Sequence, residues 1–348
     1  MTINEPPFKR LGIRALFLVW GAPHGSHRSE FMAQHLGMDL KHIYITAKRG
    51  KYYAPFKYFG QLVTTLIFLV RKRYQLVFVQ APPIFSVLPV YLYSLLSSTE
   101  FIIDAHTPSL LGPIWAWTLP LHRFLSRRAI TTIVTNDYLQ KLVASWGANA
   151  FVLEDPPIIK PSISRPMRLK NGALNVVMVS TASPDEPVEE VLEAARDLPE
   201  MCFYITGDYA KSRQYIVDSA PPNVHFMGYL REDFYPLLAA ADVIVDLCVE
   251  DHQFLSGANE ALGLGKPLIT SKGPVLEGYF NQGTIHVHNT PTGIRQGLLE
   301  AQDKLAELKA DMLSLQAIRR REWWARADRL LTLIQQEMNL APTGESLG

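Results

Sequence analysis

Short apolar, β-branched runs alternate with longer stretches of helical spacing along most of this chain, and they do so in two successive series. Such alternation describes strands joined by crossover helices, which requires a parallel sheet covered on both faces. The first series predicts strands at residues 14–20, 42–46, 75–79, 101–104, 132–134 and 151–153. The second predicts strands at 175–179, 201–206, 224–227, 243–247, 267–270 and 284–287, with helices at 188–197, 234–240 and 257–264. A long charged helical region follows at about 292–340. Between the series lie Glu154-Asp155-Pro156-Pro157, then Pro161, Pro166 and Lys170-Asn171-Gly172, an irregular stretch suited to a linker. The reading is α/β, with two Rossmann-like halves: residues 1–156, a linker at 157–173, a second half at 174–322 and a terminal helix at 323–340. The 348 residues are enough for two domains of ordinary size. In paired sheets of this kind, ligands are expected in a cleft at the carboxyl ends of the strands.

Charge distinguishes the two halves. Residues 1–150 carry 16 Lys/Arg against 6 Asp/Glu, whereas residues 151–348 carry 18 against 27. A basic half joined to an acidic one predicts that one face meets something anionic. The apolar runs at 62–70, closed by Arg71-Lys72-Arg73, and at 85–96 are both too short to span a bilayer. The first, flanked by Lys57 and the three cations, suits an interfacial helix on anionic headgroups; otherwise it is a packed helix with a basic end. The basic start followed by residues 15–20 is too short for a signal peptide and is expected to be the first strand. Cys202 and Cys248 are too few for a disulfide framework or a cysteine-based zinc site, and a reducing, cytoplasmic setting is expected. His286 and His288 alternate in a predicted strand with no ligand-like partners, so no metal is expected. No nucleic-acid recognition motif accompanies the basic half.

The most specific segment is Ser256-Gly257-Ala258-Asn259-Glu260-Ala261, followed by Gly265-Lys266-Pro267. Amides at the start of such a helix suit a sugar hydroxyl or phosphate oxygen, and a carboxylate one turn in can accept both hydroxyls of a ribose. The segment resembles the donor site of GT-B glycosyltransferases, particularly the family 4-like group, in which a Glu-Ala pair precedes Gly-x-Pro. That family carries a Glu-x7-Glu motif. Glu260 falls at the second position, implied to bind the ribose; His252 falls at the first, with Glu250 and Asp251 nearby.

Other segments extend the resemblance over about residues 14–335. The loop Gly21-Ala22-Pro23-His24-Gly25-Ser26-His27-Arg28 is similar to the loop bordering acceptor and diphosphate, so Gly25, Ser26 and His27 are expected there. Asp104-Ala105-His106 resembles an Asp-x-His element, making Asp104 or His106 the expected base if the reaction inverts. Gln80-Ala81-Pro82-Pro83 resembles the Gln-Asn-Pro-Pro turn of mannosyltransferases that use lipid-linked sugars. Where the family has Arg and Lys after the first strand of the second domain, this chain has Ser180-Thr181-Ala182-Ser183-Pro184-Asp185-Glu186-Pro187. Ser180, Thr181 and Ser183 can offer hydroxyls and amides to a donor. Arg28 and Lys211 are the expected sources of positive charge, ahead of Arg213 and Lys272; alternatively, Asp185 and Glu186 face the donor sugar. Trp323-Trp324 is expected to pack, clasping the first domain.

The resemblance implies a metal-independent hexosyltransferase without a cofactor, taking a nucleotide-sugar donor. The basic, apolar first half suggests a lipid-linked acceptor at an anionic membrane surface. Its place would be peripheral to the cytoplasmic membrane, in cell-surface polysaccharide or glycolipid synthesis. The competing reading is a non-catalytic nucleotide- or glycan-binding scaffold, and an epimerase of two similar domains is a poorer third.

Overall fold

The computed structural model of the chain describes residues 6–23, 27–45, 52–156 and 167–340. The chain divides into two compact units, Met1–Pro156 with Glu322–Gly348, and Pro157–Arg321. Residues 157–166 of the expected linker lie outside the described residues.

Unit 1 holds β1 (Ala15–Val19), β2 (Asp39–His42), β3 (Leu76–Ala81), β4 (Glu100–Ala105), β5 (Thr132–Val134) and β6 (Ala150–Val152). They form a six-stranded sheet in the order β2-β1-β3-β4-β5-β6, with every pairing parallel. Successive side chains go to opposite faces, and both faces are covered, which is why the central strands β1, β3 and β4 are mostly apolar, while the edge strand β2 is polar and part-exposed. Leu16, Leu18, Val77, Val79 and Ile103 form one core. Ala15, Phe17, Phe78, Ile102 and Ile133 form the other, where they meet Met32, Leu36, Trp323, Ala327, Leu330 and Ile334. β2 ends at His42 instead of reaching residue 46, because its partner β1 ends at Val19, the residue paired with His42.

Unit 2 holds β7 (Asn175–Met178), β8 (Cys202–Thr206), β9 (Val224–Gly228), β10 (Val243–Asp246), β11 (Leu268–Ser271) and β12 (Thr284–Val287). Their order is β12-β11-β10-β7-β8-β9, again with every strand pairing parallel. Strand order reverses between β7 and β10, so the loops after these two strands border the crevice where open α/β sheets take ligands. In unit 1 the reversal lies between β1 and β3.

The expected helical region 292–340 is two helices, Pro291–Asp303 and Leu305–Glu337, interrupted at Lys304. The second supplies residues to both units. Gln316 donates to the carbonyls of Leu262 and Gly263 in unit 2. Trp323 is buried in unit 1, with Nε1 donating to the Glu154 carbonyl at 3.1 Å and its ring edge-on to Phe31. Truncating a buried Trp costs about 3–5 kcal/mol. Trp323→Ala should therefore lower stability in urea denaturation by that amount, and Trp324→Ala, at a half-buried position, by less than half as much.

Candidate functional site

In unit 1, the loops after β1, β3 and β4 end at one edge of the sheet. The backbone amide of His106 donates to the Ala81 carbonyl at 2.9 Å, fixing the residue just past β4. Its Nε2 lies 3.4 Å from Asp104 Oδ2, and its ring is about one-third exposed. Asp104 is fully buried and holds Arg28, whose Nε lies 3.0 and 3.1 Å from the two carboxylate oxygens and whose Nη2 lies 2.8 Å from Oδ1. Arg28 Nη1 donates to the Glu154 carbonyl at 2.8 Å and to Asp155 Oδ1 at 3.1 Å, and Nη2 also donates to the Leu153 carbonyl at 3.0 Å. Burial pushes the Asp104 carboxyl up, but the Arg28 guanidinium overrides this, with help from His106, and holds it well below the usual carboxylate range.

Two expectations are corrected here. Arg28 cannot lend its charge to a diphosphate, because its whole guanidinium fork is spent within unit 1. Asp104 is not a general base, because a base must titrate near the working pH and this carboxylate stays ionised. His106 remains, with its Nε2 facing the Asp104 carboxylate at 3.4 Å. Gly25 and Ser26, like His24, lie outside the described residues; His27 opens the helix His27–Leu36, and its side chain is likewise outside them.

In unit 2 the switch-point loops carry most of the expected donor residues. The helix Ser256–Leu264 follows β10 and buries Gly257, Ala258, Asn259 and Glu260, while Ser256 is exposed. Glu260 is 8% exposed, so it is not a solvated helix residue. Sequence reasoning missed Asp246, which ends β10 and sits fully buried at the start of this helix. Its Oδ2 accepts the Ala258 amide at 2.7 Å, and the Gly257 amide also bonds its carboxylate. A Cβ at Gly257 would come within 2.6 Å of Asp246 Oδ2 and 2.7 Å of Val179, so only glycine lets the helix start this close. The amides expected to be free for a ligand are thus taken by Asp246. A carboxylate closing an apolar strand at Val243-Ile244-Val245-Asp246 was the available signal.

The loop after β7 closes on Glu186, not on open solvent. Ser180 Oγ donates to Glu186 Oε2 at 2.5 Å, and the Ser183 amide to the same oxygen at 3.0 Å. The Thr181 amide and Oγ1 reach Oε1 at 2.9 and 3.0 Å. Ser183 Oγ bonds Asp185, whose other oxygen lies 3.5 Å from Cys248 Sγ. Ser180, Thr181 and Ser183 are therefore brought together as expected, but onto a side chain of the same loop. The alternative that Glu186 faces a sugar is corrected on the same ground. Lys211 is 84% exposed and paired with Asp208 at 2.5 Å, so its charge is already matched. Lys272, Glu250 and Asp251 are exposed. Among the described residues, no group of three or more His, Cys, Asp or Glu side chains is placed to hold a metal ion, and no helix is long and apolar enough to cross a membrane.

No protein-family profile and no curated protein matches this sequence. Solved structures do. A sucrose-phosphate synthase from Thermosynechococcus elongatus matches with a TM-score of 0.73 at 13% identity, over 94% of this chain and 99% of its own. HepE from Anabaena in complex with UDP-glucose matches with a TM-score of 0.69 at 13% identity, over 92% and 100%. A glycosyltransferase from Rickettsia africae matches with a TM-score of 0.62 at 11% identity, over 93% and 97%. The chain has the GT-B glycosyltransferase fold. In this GT-B chain, Glu260 and the Ser180–Ser183 hydroxyls stand at the switch point of the second sheet.

Asp246 gives the GT-B chain a measurable signature. Burial pushes its carboxyl up to about 8, and Glu186 and Asp185 add repulsion, while the Ala258 and Gly257 amides oppose the rise. A raised folded-state value favours the neutral form. Its stabilisation is full below about pH 4, the unfolded value, and is lost as pH rises towards 8. Between pH 5 and 8 the urea midpoint of the wild type should therefore fall more than that of Asp246→Asn, by a difference on the order of a few kcal/mol in stability. Parallel curves would show that Asp246 stays ionised.

Proposed function

We propose that this chain is a glycosyltransferase that moves a hexose-type sugar from a nucleotide-sugar donor to a lipid-linked acceptor, without a metal or other cofactor. The observation that carries the reading is Glu260, a buried carboxylate on a glycine-started helix at the switch point of the second sheet, in a chain whose structural neighbours include HepE bound to UDP-glucose. Unit 2 takes the donor, with Glu260 on the ribose hydroxyls and the helix Ser256–Leu264 beside it. Unit 1 serves the acceptor. If the transfer inverts the anomeric carbon, the acceptor oxygen bonds that carbon as the bond to the diphosphate oxygen breaks. The hydroxyl proton then passes to His106 Nδ1, because Nε2 is turned to Asp104.

The test is calorimetry with UDP, GDP, dTDP and their sugars. One nucleotide is expected to bind the wild type and to lose at least tenfold in affinity in Glu260→Ala, as removal of a charged hydrogen-bond partner predicts. No binding by folded wild type would move the reading to the scaffold alternative. One observation favours that second reading: the Arg28 guanidinium is spent on Asp104, Asp155 and two carbonyls, so it is not available to a diphosphate.

The acceptor side rests on the helix Ala54–Lys72, whose exposed face is the apolar one. Phe56 is 81% and Phe59 68% exposed, and Val63, Ile67 and Val70 continue the stripe at helical spacing. Lys57, Arg71, Lys72 and Arg73 flank it. A basic-edged apolar stripe suits the headgroup boundary of an anionic bilayer, which supports a reading in which the protein works at the cytoplasmic membrane, in cell-surface polysaccharide or glycolipid synthesis. The wild type should co-sediment with vesicles of phosphatidylcholine and phosphatidylglycerol. Burying one Phe is worth about 1.5–3 kcal/mol, so Phe56→Ser with Phe59→Ser should weaken that binding more than tenfold. Equal sedimentation would remove the membrane from the reading.

A further inference from the structure

The loop after β7 has the form of an anion-binding cradle, and it already contains an anion. Four donors converge on the two oxygens of one half-buried carboxylate: Ser180 Oγ and the Ser183 amide on Glu186 Oε2, and the amide and hydroxyl of Thr181 on Oε1. Convergent amides and hydroxyls at the carboxyl end of a strand beside the switch point are what a phosphate group requires.

The cradle is also held from behind by groups that do not depend on Glu186. The Ser180 amide donates to Thr206 Oγ1 at 2.9 Å, and that hydroxyl is 2.9 Å from the Ser180 carbonyl. Tyr209 OH lies 2.7 Å from Ser180 Oγ. Gly207, at φ +101°, passes so close that a Cβ there would meet the Ala182 nitrogen at 2.9 Å and the Ser180 carbonyl oxygen at 3.0 Å. Ser180 and the backbone that follows it are therefore positioned by β8 and the residues after it, as well as by the carboxylate.

We propose that Glu186 is an internal stand-in for a phosphate group. The cradle at Ser180, Thr181 and Ser183 takes a phosphate of an incoming ligand only when that ligand displaces the Glu186 carboxylate. While Glu186 is seated, a second anion would meet its negative charge at hydrogen-bonding distance, beside the Asp185 carboxylate of the same loop. Lys211, one of the expected counter-charges, is paired with Asp208 at the surface. Glu186 thus sets the affinity of this loop for phosphate groups and selects ligands able to expel it. The inference deepens the donor-site reading and rests on it for the identity of the ligand, but not for the chemistry of the cradle.

Inorganic pyrophosphate is the probe, titrated by calorimetry into the full chain as wild type, Glu186→Ala, Glu186→Gln and Glu186→Ala with Thr181→Val. Glu186→Ala is expected to bind pyrophosphate at least tenfold more tightly than wild type. Glu186→Gln should gain in the same direction, because it loses the charge while keeping the side chain's bulk; it carries the test if the alanine variant fails to fold. Adding Thr181→Val should cancel most of the gain, which places the binding in the cradle. Unchanged or weaker pyrophosphate binding in a folded Glu186 variant would overturn the proposal, as would a gain insensitive to Thr181→Val. A cradle-dependent gain without binding of any nucleotide-sugar would leave the proposal standing and remove the transferase reading.

Discussion

The buried Arg28–Asp104 pair is the interaction on which unit 1 depends. Arg28 stands at the start of the helix after β1, Asp104 near the end of β4, and the carbonyls of Leu153 and Glu154 just past β6. One guanidinium therefore ties together three segments that are distant in sequence. Removing either partner of a buried pair leaves an uncompensated charge, which costs about 3–5 kcal/mol. Glu154 extends the network: its carbonyl also accepts the Trp323 indole, and its carboxylate pairs with Arg326. His106 Nε2 lies 3.4 Å from the Asp104 carboxylate, so the group proposed for proton transfer sits against the carboxylate that Arg28 holds.

Unit 2 manages its polar groups in the opposite way. Among the described residues, no guanidinium is buried at its switch point; Asp246 is buried and Glu186 half-buried, satisfied by amides and hydroxyls. Asp246 takes the first amides of the helix Ser256–Leu264, and Glu186 takes the donors of the loop after β7. Both oxygens of a carboxylate accept hydrogen bonds, as the oxygens of a phosphate do, so the chain satisfies its own anion-seeking backbone.

The strands were legible because sheets covered on both faces demand unbroken apolar runs. Thr132–Val134 and Thr284–Val287 fall at the expected residues, while β2 is offset because the edge strand's extent is set by its partner and not by its own side chains. The candidate site was less legible. Glu260 and the hydroxyls of the β7 loop could be found from their local context, since glycine and hydroxyl residues at strand ends mark loops that meet ligands. Arg28 and Lys211 were expected as free cations because a sequence shows charge but not pairing; Arg28's partners lie 76 and more than 120 residues away. Glu186 was visible as a residue, yet its role depends on which way the loop turns. Asp246 lay hidden at the end of an apolar strand.

The continuous helix Leu305–Glu337 gives the chain an order of completion. Unit 2 ends at Arg321, so its sequence is whole before the last turns of that helix are made. Unit 1 comes earlier in the chain, but one face of its sheet, covered in part by Met32 and Leu36, is completed only when Trp323, Ala327, Leu330 and Ile334 arrive. During synthesis the earlier strands must wait, with Phe17, Phe78 and Ile102 incompletely covered, until residues 323–334 have left the ribosome. The unit translated first is thus the unit finished last, and its exposed sheet face in the interval is where a chaperone would have most to hold.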